Sequence, residues 1–206
     1  WLELLELAGR GELAILDLAE NAELRSSGAI PNISAALRGL GGAAVGRARE
    51  WAVSADPELH RLAVDVLAGG GDTTDVPVLM NALATVLADE DWCGLEAPAK
   101  GLGRLAVADA VDLLVRAWES TVHSYARIAL FQGLTGCLST GLDRFAVEGL
   151  DDCEVAVQEM ACFKAPATPS VIERLREWQT GPDSSDRSAC ASIRLQKIDE
   201  ADNGTR

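Results

Sequence analysis

The chain has 206 residues, of which 48% are hydrophobic and only 4% aromatic, and it carries a formal net charge of −14. Proteins gain affinity for phosphate backbones by releasing counterions with Lys and Arg, so a chain this acidic is expected to repel nucleic acid and anionic membranes. The acidity favours a partner that carries a basic segment, or it serves solubility alone.

No apolar run approaches the roughly 18 to 20 residues that span a bilayer. Glu3 and Glu6 stand where a secretory signal would need a basic start and an unbroken apolar run. These features predict a cytoplasmic protein, and the excess of arginine over lysine hints at a bacterium with a GC-rich genome. The cysteines lack CxxC spacing and are predicted to be buried free thiols of a reducing compartment. They are Cys93, Cys137, Cys153, Cys162 and Cys190.

Residues 1–8 have the pattern of the end of a repeat, with Gly9 as a helix stop. Because the chain opens in mid-repeat with Trp1, we expect a preceding segment that holds the partner helix of residues 1–8. Pairs of helices are predicted after Gly9, each a first helix followed by a second. The pairs are 12–24 with 30–40, 43–53 with 56–68, 75–88 with 93–103, 110–118 with 122–134, 142–150 with 153–163, and 169–178 with 187–198.

The helix over residues 56–68 shows the pattern of a second helix most clearly. Asp56 is a predicted N-cap, Pro57 suits the first helical position, and an apolar stripe follows. The glycines at 69–71 are predicted to end this helix, because no GK[ST] motif of a phosphate loop follows them. Pro98 lies inside the helix predicted over residues 93–103 and is expected to kink it.

Second helices share an apolar start, a middle of small residues and a closing apolar residue. In residues 153–163 the closing position is either Ala161 or Phe163. In the other pairs it is a leucine: Leu40, Leu67, Leu102, Leu130 and Leu195. A period of about 30 to 35 residues with two helices per period is typical of an α-solenoid. With no alternating β pattern in the chain, the sequence predicts an all-α fold in which small side chains allow close helix stacking.

The motifs resemble those of the HEAT family, specifically the short bacterial HEAT repeats also found in phycobilin lyases. First helices carry runs such as VPVLMNAL, AVDLLVRAW and SVIERLREW, and second helices carry DPELHRLAVDVLA and TVHSYARIALF. The resemblance implies a right-handed α-solenoid of about six HEAT-like hairpins. It covers residues 1–198 as a single array, followed by a frayed polar tail at 199–206.

In HEAT-like superhelices the second helices line the concave face. The resemblance therefore implies a recognition surface of mixed charge on this face, which binds a protein or peptide. Trp92 is added because it follows the acidic residues 89–91 and could lie exposed. The candidate partner-binding residues are His60, Arg61, Asp65, Trp92, Glu96, Lys100, His123, Arg127, Glu154 and Glu159.

Trp51, Trp118 and Trp178 occupy the same late position of three predicted first helices, which is typical of core packing. The alternative is an aromatic set that anchors a partner. His60 and His123 likewise occupy equivalent positions, and the alternative to two groove histidines is two solvated or capping ones.

No cofactor, metal site or catalytic centre is predicted. The histidines have no second His at i+4, no HExxH motif exists, and no His is followed by Glu as in the paired motifs of HEAT-repeat deoxyhypusine hydroxylases. A pair such as Asp65 with His123 could meet across the groove, which would be a catalytic alternative.

The sequence thus favours a non-enzymatic scaffold or adaptor. Two enzyme hypotheses follow from family likeness alone. One is a HEAT-like alkylpurine DNA glycosylase, which needs a basic channel that the acid excess argues against. The other is a chromophore lyase.

Overall fold

The computed structural model describes residues 12–26, 30–181 and 185–204. Within these ranges the regular structure is helical and no strand occurs, so the all-α prediction is confirmed. The repeat end predicted at residues 1–8 and the stop at Gly9 lie outside the described residues, as do residues 205–206 of the predicted tail.

The described residues form twelve helices longer than one turn, which we number in chain order. Single turns of helix occur at Ala22–Leu24, Gly41–Ala44, Thr73–Asp75 and Ala108–Ala110. The helices are α1 (Glu12–Glu20), α2 (Ile30–Leu40), α3 (Val45–Trp51), α4 (Pro57–Gly70), α5 (Val76–Ala88), α6 (Glu96–Arg104), α7 (Val111–Ser120), α8 (Ser124–Cys137), α9 (Leu142–Gly149), α10 (Val155–Lys164), α11 (Pro169–Thr180) and α12 (Ser185–Gly204).

These helices pair where the sequence predicts. Each odd-numbered helix packs on the even-numbered helix that follows it, and each even-numbered helix also packs on the next even-numbered helix. The second helices α2, α4, α6, α8, α10 and α12 therefore form a row of neighbours. Contacts in this row join residues that are about one repeat apart in sequence.

The second helices run parallel to one another. Between α4 and α6 the C-terminal ends meet, because Arg104 donates to the carbonyl oxygens of Ala68 at 2.9 Å and Gly71 at 2.7 Å. Between α10 and α12, Arg187 donates to Gln158 and Arg194 donates to the carbonyl oxygen of Ala165, so residue numbers rise together along both helices.

The close approach of α6 and α8 has the same direction. A Cβ added to Gly133 would lie 2.8 Å from the carbonyl oxygen of Ala99, and one added to Gly136 would lie 2.7 Å from the Cα of Gly103. Glycine here allows backbone to pack on backbone, as expected for a core poor in large side chains.

Two edges of the molecule follow from this parallel packing. The connections within hairpins lie on one side, where second helices begin, and the connections between hairpins lie on the other. The loop edge comprises connections within hairpins and the first residues of the helices that follow, at 52–58, 89–96, 121–125 and 150–155. The junction edge comprises connections between hairpins, at 41–44, 71–75, 105–110, 138–141 and 165–168.

The predicted start of α4 is confirmed. Asp56 Oδ1 accepts from the backbone N–H groups of Glu58 at 2.9 Å and Leu59 at 3.3 Å, and Pro57 is the first helical residue. Arg25, which is 4% exposed, pairs with Asp56 across adjacent hairpins. This cap thus also joins the first hairpin to the second.

The kink predicted at Pro98 is wrong, because α6 begins at Glu96 and not at residue 93. Pro98 therefore lies in the first turn, where a backbone N–H has no helical acceptor and proline costs little. The helix predicted over residues 12–24 is also interrupted. Asn21 leaves the helical conformation and its side chain caps a new turn by accepting from Glu23 and Leu24.

The predicted tail from residue 199 instead continues α12 to Gly204. No proline or glycine occurs between Ile198 and Gly204, so nothing in the backbone stops the helix there. The polarity of residues 199–204 therefore does not mark the end of α12.

The tryptophan column packs in the core, as predicted. Trp51, Trp118 and Trp178 are 3%, 1% and 7% exposed. The indole of Trp118 contacts the rings of Phe131 and Phe145 at centroid distances of 6.0 and 5.9 Å. The aromatic-anchor alternative does not apply to side chains buried this deeply.

Charged side chains hold the connection between α4 and α5. Arg49 of α3 donates to Asp75 at 2.8 Å and to Asp72 at 2.9 Å. Asp72 accepts from the backbone N–H of Thr74, and Asp75 accepts from the backbone N–H of Asp72, so the two carboxylates cap this turn reciprocally. Hydrogen bonds from Thr74 and then Arg49 lower the pKa of Asp72 from 3.8 to about 2.

We expect this cap to make stability depend on pH in acid. The folded-state pKa of Asp72 lies below its unfolded value, so the stabilisation is complete above pH 3.8 and is lost as the pH falls toward about 2. Asp72→Asn keeps a capping side chain but removes the charge. Urea unfolding should show a lower midpoint for Asp72→Asn near neutral pH, and the gap should close toward about pH 2. A gap that persists unchanged in acid would contradict this origin.

The prediction of buried thiols is confirmed for Cys137 and Cys162 and wrong for Cys93 and Cys153, which are exposed. Burial raises the pKa of Cys162 to about 12 and also raises that of Cys137. Cys190 is partly exposed, and burial, Glu159 and Asp186 raise its pKa.

Alkylation should follow this ranking, because the thiolate is the reactive form. We expect iodoacetamide to modify Cys93 and Cys153 first in the folded chain and Cys162 last. Timed quenching followed by peptide mass spectrometry measures the order. In urea, all five thiols should react at similar rates. Equal rates in the native state as well would contradict the packing of α10 against α12.

Candidate functional site

The candidate residues are distributed along the row of second helices and do not converge on one cavity. Four hairpins contribute, and each contribution lies on the second helix or in the connection before it. The positions are His60, Arg61 and Asp65 on α4, Trp92 before α6, Glu96 and Lys100 on α6, His123 and Arg127 at the start of α8, and Glu154 and Glu159 around α10.

On α4, two of the three candidates have structural partners. His60 Nδ1 donates to the carbonyl oxygen of Ala52 at 3.0 Å, which ties the helix to the loop before it. Asp65 accepts from Ser34 Oγ of α2 at 2.7 Å. Arg61 is exposed.

The structure does not bring Asp65 and His123 together. Asp65 faces α2, where Arg38 also approaches it at 3.9 Å, whereas the ring of His123 lies against Tyr125 with a centroid distance of 5.7 Å. The suggested catalytic pair therefore does not form.

On α6, Lys100 pairs with Glu96 at 2.6 Å within the helix, and both side chains are substantially exposed. Trp92 is only partly exposed and packs against the core cluster. The acidic residues before Trp92 suggested that its side chain is exposed, and the structure shows only partial exposure.

Arg127 is a packing residue. Its side chain is 17% exposed, its guanidinium lies 3.5 Å from the ring centroid of Trp118, and Nη1 donates to the carbonyl oxygen of Trp118 at 3.0 Å. Nε donates to Asp152 at 2.7 Å, and the side chain of Asp152 is 2% exposed. Arg127 therefore joins the fourth hairpin to the fifth. The helical register of α8 predicted that Arg127 faces the groove. That register could not show that Asp152 of the next hairpin lies beside Arg127.

Glu154 is the N-cap residue of α10, and Glu159 lies one turn into that helix. Both are partly exposed, and neither has an ion pair among the described residues. They are available to a partner.

The exposed face of the second helices carries side chains of both charges. The charged residues of this face include Arg38, Arg61, Lys100, Arg104 and Lys164, with Asp65, Glu96 and Glu159.

The loop edge is where acidity and exposed apolar side chains coincide. Val53 is 87% exposed, Val122 90%, Tyr125 71% and Val155 43%. No Lys or Arg occurs in these segments, and their ionisable side chains are carboxylates apart from His123, Tyr125 and the thiols of Cys93 and Cys153. The carboxylates are Asp56, Glu58, Asp89, Glu90, Asp91, Glu96, Asp151, Asp152 and Glu154.

Sequence reasoning missed this surface because it followed helical periodicity. It placed Val53 and Val122 in predicted helices, whereas the structure places both in connections, where large apolar side chains are exposed. Such residues are unremarkable one at a time, and only their placement on one edge makes them a candidate site.

An open cleft of about 340 Å³ lies between α9 and α11. Arg174 in its wall pairs with Asp151 and, at 3.0 Å, with Glu177. The positive charge of Arg174 is therefore already paired with two carboxylates and is not free to hold an anionic ligand.

Within residues 12–26, 30–181 and 185–204, no group of three or more His, Cys, Asp or Glu side chains is placed to hold a metal ion. Among the same residues, no helix has both the length and the apolar character to cross a bilayer. Comparison of the chain with protein-family models, curated proteins and solved structures gave no match.

Proposed function

We propose that this chain is a non-enzymatic scaffold that binds a protein or peptide, built as a right-handed α-solenoid of about six HEAT-like hairpins. The packing of each second helix on the next second helix supports the stacked arrangement. The HEAT-like motifs support the hairpin type and the assignment of second helices to the concave side.

The uninterrupted row of parallel second helices is the observation that carries the proposal. At the usual spacing of about 8 to 10 Å between packed helices, a row of this kind extends over about 40 to 50 Å. Its exposed side chains, such as Arg61, Lys100 and Glu159, are not needed by the core. A long surface of mixed charge suits polypeptide recognition, in which many modest contacts are added along an extended partner.

Affinity capture with charge-reversed variants tests this assignment. The immobilised chain is used to capture proteins from a native cell extract, and the double variant Arg61→Glu/Glu159→Lys reverses two charges on second helices. The matched control Arg116→Glu/Glu173→Lys makes the same changes at exposed positions of α7 and α11. We expect the first variant to lose a partner that the control retains. Equal capture by both would reject the second-helix face.

A further inference from the structure

We propose that the loop edge is a docking surface for a partner segment in which apolar residues alternate with Lys or Arg. This inference rests on the proposed scaffold function and names a second surface and the chemistry of its partner.

The loop edge is continuous across hairpins because the second helices start side by side. Arg25 links the first connection to Asp56 in the second, and Arg127 at the start of α8 links to Asp152 before α10. Successive connections are therefore separated by about one helix spacing of 8 to 10 Å. An extended peptide covers that distance with about three residues.

Consecutive hairpins place a large apolar side chain on this edge. Val53, Val122 and Tyr125 are the most exposed large hydrophobic residues described, and partly exposed Trp92 lies in the hairpin between them. On the junction edge, by contrast, no described Val, Leu, Ile, Met, Phe, Tyr or Trp is exposed. The asymmetry indicates that the apolar row is a property of one edge and not of connections in general.

Tyr125 is suited to be the central anchor of this surface. Its ring is 71% exposed and packs beside His123, which holds the aromatic pair at the start of α8. Tyrosines with an apolar body and a polar tip are common anchors of interfaces. The open face of such a ring also attracts Lys and Arg through cation–π interaction.

The charge of the edge specifies the basic component of the partner. Asp89, Glu90, Asp91 and Glu154 have no ion pair with Lys or Arg among the described residues. The cations that reach this edge are each already held by one of its carboxylates: Arg25 by Asp56, Lys100 by Glu96, Arg127 by Asp152 and Arg174 by Asp151. The surface therefore keeps an uncompensated negative potential beside its apolar side chains.

The same charge disfavours other occupants. A second copy docking edge to edge would place carboxylates against carboxylates, and a phosphate-bearing ligand would be repelled. A polypeptide with Lys or Arg between apolar residues satisfies both features of the surface.

A random library of 16-residue peptides displayed on phage is the probe. The library is panned against the purified chain, and selected peptides are synthesised and titrated by fluorescence anisotropy. We expect the selected sequences to combine apolar residues with Lys or Arg, and their binding to weaken as salt is raised. The paired variants Val122→Asp/Tyr125→Ser and Asp89→Lys/Glu90→Lys should each raise Kd about tenfold or more.

Matched controls alter residues off the edge. Val147→Asp changes a partly exposed valine of α9, and Asp112→Lys/Asp143→Lys reverses two exposed carboxylates of first helices. The substituted positions are at least partly exposed in both the edge variants and the controls. Circular dichroism should therefore show the same helical content for every variant as for the unaltered chain. The controls should leave Kd within about twofold of the unaltered chain.

Selected peptides without basic residues, or equal binding to the edge variants and the unaltered chain, would overturn the inference. So would a dimer in sedimentation velocity that Val122→Asp converts to a monomer, because the occupant would then be a second copy. Loss of binding only in Arg61→Glu/Glu159→Lys would overturn the loop edge and leave the scaffold function standing. Failure to select any peptide, together with no partner captured from extract, would reject both.

Discussion

Replacing Arg127 with alanine should lower the free energy of unfolding by about 3 kcal/mol. The reason is the carboxylate of Asp152, which is 2% exposed and would lose its counter-charge. Breaking a buried ion pair from one side costs about 3 to 5 kcal/mol. We expect the lower end, because Asp152 keeps the hydrogen bond from the backbone N–H of Glu154 at 2.9 Å. Urea unfolding followed by circular dichroism measures the change.

Arg144→Ala is the matched control for this experiment. Arg144 pairs with Glu119 at 2.9 Å, but both side chains are more than half exposed. An exposed pair of this kind contributes about 0 to 1 kcal/mol. In the double variant Arg127→Ala/Asp152→Ala, the buried charge is removed with its partner, and part of the lost stability should return. Equal effects of Arg127→Ala and Arg144→Ala would show that the fourth and fifth hairpins do not meet through this pair.

Gly136→Ala should be destabilising by about 1 to 3 kcal/mol, although alanine is the better helix former. An added Cβ would lie 2.7 Å from the Cα of Gly103 and closer still to its carbonyl group. Both contacts are with backbone, so no side chain can rotate away, and α6 and α8 must separate. Chemical unfolding of the purified variant gives the magnitude.

Gly46→Ala provides the opposite expectation in the same chain. Gly46 lies in α3 with open space where its Cβ would be, so alanine should stabilise by about 0.5 to 1 kcal/mol through the unfolded state. If Gly136→Ala also stabilised the chain, the close contact between α6 and α8 would be absent in solution.

Much of the fold was predictable because its determinants are local. The cap at Asp56 with Pro57 after it, and the apolar stripe that ends at Leu67, specify α4 within one segment of chain. The buried Trp51, Trp118 and Trp178 were predictable from their shared position in first helices. The errors were also local. Pro98 was placed in mid-helix because the start of α6 was set three residues too early.

The candidate site was less predictable. Apolar periodicity indicates which side of a single helix is exposed, but it does not show which side chains of other helices lie beside it. Arg127 was expected to face a groove, yet it is held by Trp118 and Asp152. Val53 and Val122 were not selected, since they were placed inside the helices predicted over residues 43–53 and 122–134, whereas both lie in connections in the structure. Their exposure on a common edge depends on the relative direction of α4 and α8.

The sequence by itself determined that the chain is helical, where most helices pair, and that small side chains and glycines build the core. Caps, apolar periodicity and turn residues act over one or two helical turns, so they can be recognised from the sequence alone. Only the tertiary structure decided which charged side chains pair with one another between hairpins and which stay exposed. Residues such as Arg127 and Asp152, 25 positions apart, meet only after hairpins stack. The same stacking collects the carboxylates and exposed apolar side chains of separate connections along one edge.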